Sequence, residues 1–314
     1  MINSTSISTK SNPAIAYKRS RASSSWHLED IPFSAIDAAL TNEDEPLLLM
    51  LVASSFIESG SHLYASNLTA HFEGDLEVTT WLAEMWEREE LQHGLALRTY
   101  IAHVWPEYDW ERAYTQFIKD YRPLCMVSKL EPKRALEMAA RCVVETCTTS
   151  LYRAINDCAR EPVLRMLCRF ISEDEISHYK HFFRYFRKYQ HEERSSRAAV
   201  LGAMVRRSIE ICVEDTDHGL RNAYDERYPK GIATRPTLDS IKLAINARLR
   251  SSVPFGIACA MWLRPLQIDS RIERQIRYVL RIVTRTLVFG SLTCSTQTRQ
   301  LHKRSNECDC HPPT

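Results

Sequence analysis

The chain has 314 residues, 44% of them hydrophobic and 25% charged, a balance that supports a sizeable buried core and excludes disorder throughout. Its 8 glycines are spread so widely that no two lie within ten residues, which excludes a P-loop or any other Gly-rich phosphate cradle and argues against a many-turned β-sandwich. The net charge of +2 conceals an asymmetry: residues 1–196 carry a balance of −6 and residues 197–314 a balance of +8.

The first 44 residues are rich in serine and open on polar, weakly basic sequence, so a disordered or poorly ordered N-terminal segment is expected over 1–44. From Pro46 the pattern acquires helical period. Leu47, Leu51, Ser55, Glu58, His62, Ala65, Thr69 and Phe72 recur at steps of three and four until Gly74-Asp75 interrupts them. A second helix runs from Val78 to Val104, with Leu82, Trp86, Glu90, His93, Leu97 and Ile101 on one face, and Pro106 stops it. Trp110 to Tyr121 reads as a connecting segment. Leu136 to Ala159 carries Cys142, Glu145, Thr149, Tyr152 and Ile155 on one stripe, and Val163 to Tyr189 carries Leu167, Ile171, Glu175, His178, Phe182 and Phe186. Four long helices in two consecutive hairpins are therefore expected.

Further helices are expected over Ala198 to Tyr224, Leu238 to Arg250 and Ile268 to Phe289. The last carries a stripe of Arg271, Arg274, Arg277, Arg281 and Arg285 that suits an anionic surface or simple solvation. With no linker before residue 290, the reading is an all-α chain with one helical domain and C-terminal helical extension over 45–290, followed by a disordered tail over 291–314. That tail holds a Cys308-Asp309-Cys310-His311 cluster, which lacks the four-ligand set of a zinc site. Ten cysteines, most of them inside helical patterns, fit reduced thiols and a cytoplasmic setting.

The chemistry resides in two Glu-x-x-His units, Glu90-Leu91-Gln92-His93 and Glu175-Ile176-Ser177-His178. On a helix this spacing puts a carboxylate and an imidazole on one face, one turn apart, where both reach one metal ion. With 25 glutamates and 11 histidines, chance alone supplies about one such unit, so spacing alone decides nothing. Geometry decides more. Glu58 precedes Glu90 by 32 residues and Glu145 precedes Glu175 by 30. The midpoints fall at Gly74 and at Arg160, beside the helix-breaking Pro162. At 1.5 Å rise per residue each glutamate of the first pair sits about 24 Å from its turn, so antiparallel packing brings the two level. All four glutamates lie inside apolar stripes, where an unpaired carboxylate costs several kcal/mol. The predicted ligands are Glu58, Glu90, His93, Glu145, Glu175 and His178, one glutamate and one Glu-x-x-His unit for each of two metals; salt bridges to Arg141 or Arg153 are the competing account of the same carboxylates.

Glu89-Glu90-Leu91-Gln92-His93-Gly94 and Asp174-Glu175-Ile176-Ser177-His178 resemble the two acidic Glu-x-x-His motifs of the soluble acyl-carrier-protein desaturases, over roughly residues 45–190. The resemblance implies a ferritin-like four-helix bundle holding two iron ions, or manganese, with the six residues above as ligands, O2 as co-substrate, and Glu89 and Asp174 orienting the imidazoles. A threonine one turn past the third glutamate lines the oxygen side in that family, and Thr148 and Thr149 both offer it. The implied activity is desaturation or hydroxylation of an organic, acyl-type substrate, which an acyl carrier protein could present, with a ferredoxin-like electron donor. A homodimer and peripheral membrane contact are compatible partners, and no nucleic acid is expected. Related arylamine N-oxygenases carry an added histidine where Ile171 stands here. The alternative is an iron-oxidising or iron-handling protein without an organic substrate, against which the additional helices after residue 195 argue.

Overall fold

The computed structural model describes residues 26–229, 235–269 and 271–278, and among these all regular structure is helical. The first long stretch is two helices, α1 (Glu45–Ser59) and α2 (Ser61–His71), divided at Gly60. Asp44 caps α1 by accepting a hydrogen bond from the Leu47 amide at 3.1 Å, and Pro46 sits in its first turn, where a missing N–H leaves nothing unpaired. The chain turns at Gly74, whose φ of +88° suits a residue without Cβ. Asp75 then caps α3 (Leu76–Trp81), which passes through a π-turn at Leu82–Trp86 into α4 (Glu87–Val104). The expected second helix is thus continuous in direction but contains one widened turn.

After α5 (Trp110–Tyr121), the second hairpin consists of α6 (Arg134–Cys158) and α7 (Pro162–Glu193). Glu161 caps α7, accepting from the Leu164 amide at 2.7 Å, with Pro162 in the first turn. The expected helix from residue 198 to 224 is α8 (Arg197–Glu210), a π-turn at Ile211–Asp215 and α9 (Thr216–Arg227). Next come α10 (Leu238–Arg250) and α11 (Phe255–Leu263). The sequence reading missed α11 because FGIACAMWL is apolar nearly all round and carries no amphipathic period. Residues 271–278 are helical, in line with the start of the basic helix. Its remainder, with Arg281 and Arg285, and the Cys308 to His311 cluster lie outside the described residues.

The expectation of disorder over 1–44 needs correction for residues 26–44. These form three short 3-10 turns, Leu28–Asp30, Phe33–Ala35 and Ala38–Leu40, and bury Trp26 and Ile31 in the core. A single large aromatic ring contributes enough apolar burial to hold a polar segment down, which composition does not register. Residues 1–25 lie outside the described residues.

The core consists of two apolar clusters. One gathers Leu48, Leu51, Phe56, Leu97, Ile101, Tyr152, Leu167 and Ile171; the other gathers Leu68, Trp86, Val143, Tyr179, Phe182 and Met204. Each of the four helical stretches that carry the candidate ligands passes from one cluster to the other at its candidate glutamate. Phe56 and Ala65 flank Glu58, Trp86 and Leu97 flank Glu90, Val143 and Tyr152 flank Glu145, and Ile171 and Tyr179 flank Glu175. A polar layer therefore lies between two dry halves.

Candidate metal centre

α1, α4, α6 and α7 bring all six predicted ligands together, each no more than 7% exposed. They form two groups that could each hold a metal ion: Glu58, Glu90, His93 and Glu175; and Glu90, Glu145, Glu175 and His178. Within each group the ligand atoms lie within 4.8 Å of one another, and Glu90 and Glu175 belong to both. The two imidazole centroids are 5.9 Å apart.

Both imidazoles are oriented in the same way. His93 Nδ1 faces Glu175 Oε1 at 3.2 Å and Glu58 Oε2 at 3.7 Å, while Nε2 faces Asp174 Oδ2 at 3.2 Å. His178 Nδ1 faces Glu90 Oε1 at 3.1 Å and Glu145 Oε2 at 3.6 Å, while Nε2 faces Glu89 Oε2 at 2.8 Å. An outer carboxylate that accepts the Nε2 proton leaves the Nδ1 lone pair directed inward, the tautomer a metal requires. The acids adjoining the two Glu-x-x-His units thus lie where the motif places them.

The donor set fits divalent cations. His93 Nδ1, His178 Nδ1, both Glu145 oxygens, Glu175 Oε1 and Thr149 Oγ1 are buried without a hydrogen-bond partner. Groups of this kind pair with something in the great majority of folded proteins. Among the described residues, the basic groups at ion-pair distance from the four glutamates are the two histidines. Arg141 pairs instead with Glu137, at 2.9 Å, away from the four ligand glutamates, so the salt-bridge account of these carboxylates fails for it. Four carboxylates with two neutral imidazoles carry a charge of −4, which two divalent ions neutralise.

Without cations, protons take that role. Burial and the charges of Glu175 and Glu58 push the Glu90 carboxyl well above its ordinary range, and burial with Glu175 does the same to Glu145. Burial opposes the charged imidazoles, but the facing carboxylates of Asp174, Glu175 and Glu58 raise His93, and those of Glu145, Glu175, Glu89 and Glu90 raise His178, well above the ordinary value. Burial acts on Glu175 too, yet both histidines hold its carboxyl well below the usual range. Cations entering the site would have to displace these protons.

The two threonines separate. Thr148 Oγ1 lies 2.7 Å from Glu175 Oε2 and donates to that ligand, whereas Thr149 is fully buried on the face of α6 shared with Glu145 and its hydroxyl has no partner. His62 and His181 stand apart from both groups: His62 turns Nδ1 to the Ser59 carbonyl at the end of α1 and His181 to the Ser177 carbonyl of its own helix, both at 3.0 Å, and His181 stacks on Trp81.

Two residues that sequence reasoning did not assign to the site complete its surroundings. The Tyr152 hydroxyl makes a short hydrogen bond to Glu58 Oε1. Tyr152 lies seven residues after Glu145, on the same helix face, so the stripe contained the signal. Trp26 donates its indole N–H to Asp174 Oδ2 at 2.6 Å and lies nearly parallel to the His93 ring, with centroids 6.1 Å apart. Gln92 ties this tryptophan down through a 2.9 Å hydrogen bond to its carbonyl. No local pattern announces Trp26. Compared with known proteins, the chain matches no family model and no curated protein.

Proposed function

We propose that this chain is a ferritin-like di-iron carboxylate oxidase that uses O2 to desaturate or hydroxylate an organic, acyl-type substrate. The observation that carries the reading is the pair of four-residue His/carboxylate groups sharing Glu90 and Glu175 in a buried layer. Two iron ions held there would supply O2 reduction and the oxidising power to remove hydrogen from an unactivated C–H bond.

The protein's own groups set the conditions for that chemistry. Glu58 and His93 on one side, and Glu145 and His178 on the other, supply the unshared ligands. Asp174 and Glu89 hold the imidazole protons at Nε2, and Thr148 and Tyr152 hold their hydroxyl protons against Glu175 and Glu58. Burial, followed by the neighbouring Glu58 charge, pushes the Tyr152 phenol well above its ordinary range, so it remains a donor. The aromatic and aliphatic walls above and below the polar layer exclude water, which strengthens every charge interaction inside. A ferredoxin-like protein would return electrons. An acyl carrier protein presenting the substrate would meet the exposed Arg271, Arg274 and Arg277.

The test is metal analysis of the purified protein, followed by O2 consumption of its ferrous form with and without acyl substrates. Two iron ions per chain and substrate-dependent turnover are expected. Continued oxidation of added Fe(II) far beyond two per chain, with no effect of any substrate, would instead establish an iron-handling protein. Fewer than two metals of any kind would remove the di-metal reading altogether.

A further inference from the structure

Helix α8 is apolar on both sides. Val200, Ala203 and Met204 face the core, packed with residues of α6 and α7, as one stripe of an amphipathic helix should. The opposite side should be polar. Instead it presents Leu201, Val205, Ile209 and Val213, exposed by 40%, 41%, 57% and 63%. Four-residue steps normally drift around a helix, but the π-turn at Ile211–Asp215 advances fewer degrees per residue and compensates for that drift at Val213. The result is one ridge about 18 Å long. A contiguous apolar surface of this kind calls for a partner.

The order of the residues identifies that partner. The ridge is symmetric about position 207: a two-fold axis there, with the helices antiparallel, places Leu201 opposite Val213 of a second copy and Val205 opposite Ile209. Each facing pair combines a larger with a smaller aliphatic side chain, so the ridges interdigitate at constant spacing. Arg206 and Glu210 stand on one flank of the ridge, one turn apart, and this axis keeps the flank on the same side in both copies. Each arginine then lies beside the other copy's glutamate. Both side chains keep free surface, 56% for Arg206 and 36% for Glu210, beyond their pairings with Glu131 and Arg207. An unrelated apolar partner would need neither the matched steps nor the matched charges. The geometry points to a symmetric homodimer of this chain, formed by antiparallel packing of α8 through Leu201, Val205, Ile209 and Val213.

The inference is independent of the metal chemistry and is tested on the full chain. Sedimentation at roughly 10 μM should give a dimer. Val205→Asp and Ile209→Asp should each raise its dissociation constant about a hundredfold or more, because every substitution enters the contact twice. Both positions face water in one chain, so helical circular dichroism and metal content should stay at wild-type levels. Orientation is read by the double variant Leu201→Cys/Val213→Cys in a Cys212→Ser background, whose two thiols the same axis sets opposite each other across the contact, whereas about 18 Å of helix separates them within one chain. Diamide, taking up two electrons and two protons, should join position 201 of one copy to position 213 of the other in an interchain disulfide, identified by peptide mass spectrometry and lost in either single variant. A monomeric wild type, a dimer indifferent to both aspartates, or crosslinks that join only like positions would each overturn the proposal.

Discussion

Trp26 donates its indole N–H to Asp174, 148 residues further along the chain, at 2.6 Å, and the same carboxylate oxygen lies 3.2 Å from His93 Nε2. The N-terminal segment therefore helps to fix the orientation of the candidate ligand His93 through the carboxylate they share. Asp174→Asn loses the acceptor that holds the His93 tautomer and should weaken metal binding by about 10- to 100-fold, as removal of such supporting carboxylates does elsewhere. Trp26→Phe keeps the ring and loses only the N–H, so its effect should be smaller and in the same direction. Competition with a chelator measures both; a larger loss in Trp26→Phe than in Asp174→Asn would contradict this order of support.

Glu90 and Glu175 belong to both ligand groups, so each is needed at both positions. Glu90→Ala and Glu175→Ala should therefore lose both metals and oxidase activity while retaining full helical content. Removing a buried carboxylate relieves like-charge crowding in the metal-free state. Metal-free Glu90→Gln is accordingly expected to melt at or above metal-free wild type. Two metals per chain in either alanine variant would refute the ligand assignment.

The convergence of the six His and Glu residues was legible from sequence because it obeys local rules: three- and four-residue steps, and hairpin midpoints at Gly74 and Arg160 that place Glu58 level with Glu90 and Glu145 with Glu175. What escaped depends on long-range packing. Trp26 sits in a serine-rich stretch whose composition points to disorder, and only the pocket beside Asp174 and Phe170 gives it a place. The break at Gly60 and the widened turn at Leu82–Trp86 interrupt helices whose apolar periodicity runs on through both, so periodicity could not locate them.

Gly94 shows why one more residue of the first motif is small. A Cβ there would lie 2.7 Å from the backbone nitrogen of Ser59 and 3.0 Å from its Cα, closer than such atoms approach. α4 and α1 thus cross in near contact beside His93 and Glu58. Backbone atoms cannot swing aside, so Gly94→Ala must separate the helices, at about 1–3 kcal/mol by comparison with other overpacked cores. The half-site of Glu58 and His93 should suffer more than that of Glu145 and His178. Thermal melting together with stepwise metal titration checks this, with one tight and one weakened site as the expected result.

The final prediction concerns pH. His93 and His178 have folded-state values well above the ordinary 6.5, so the stability they contribute is fully present below about pH 6.5 and is lost as pH rises through the raised values. Glu90 and Glu145, also raised, act in the same direction from their ordinary 4.5 upward. Glu175, held low, acts oppositely: its contribution is present above 4.5 and is lost on acidification through its lowered value. Four groups outweigh one, so the metal-free protein should melt at progressively lower temperature between about pH 6.5 and 8.5. Metal ions replace these same protons, and their binding tightens as pH rises. The stabilisation on adding metal should therefore widen over the same interval. Paired melting curves at several pH values, with and without metal, provide the measurement; a metal-free protein that gains stability across that range would show that the buried cluster does not retain its protons.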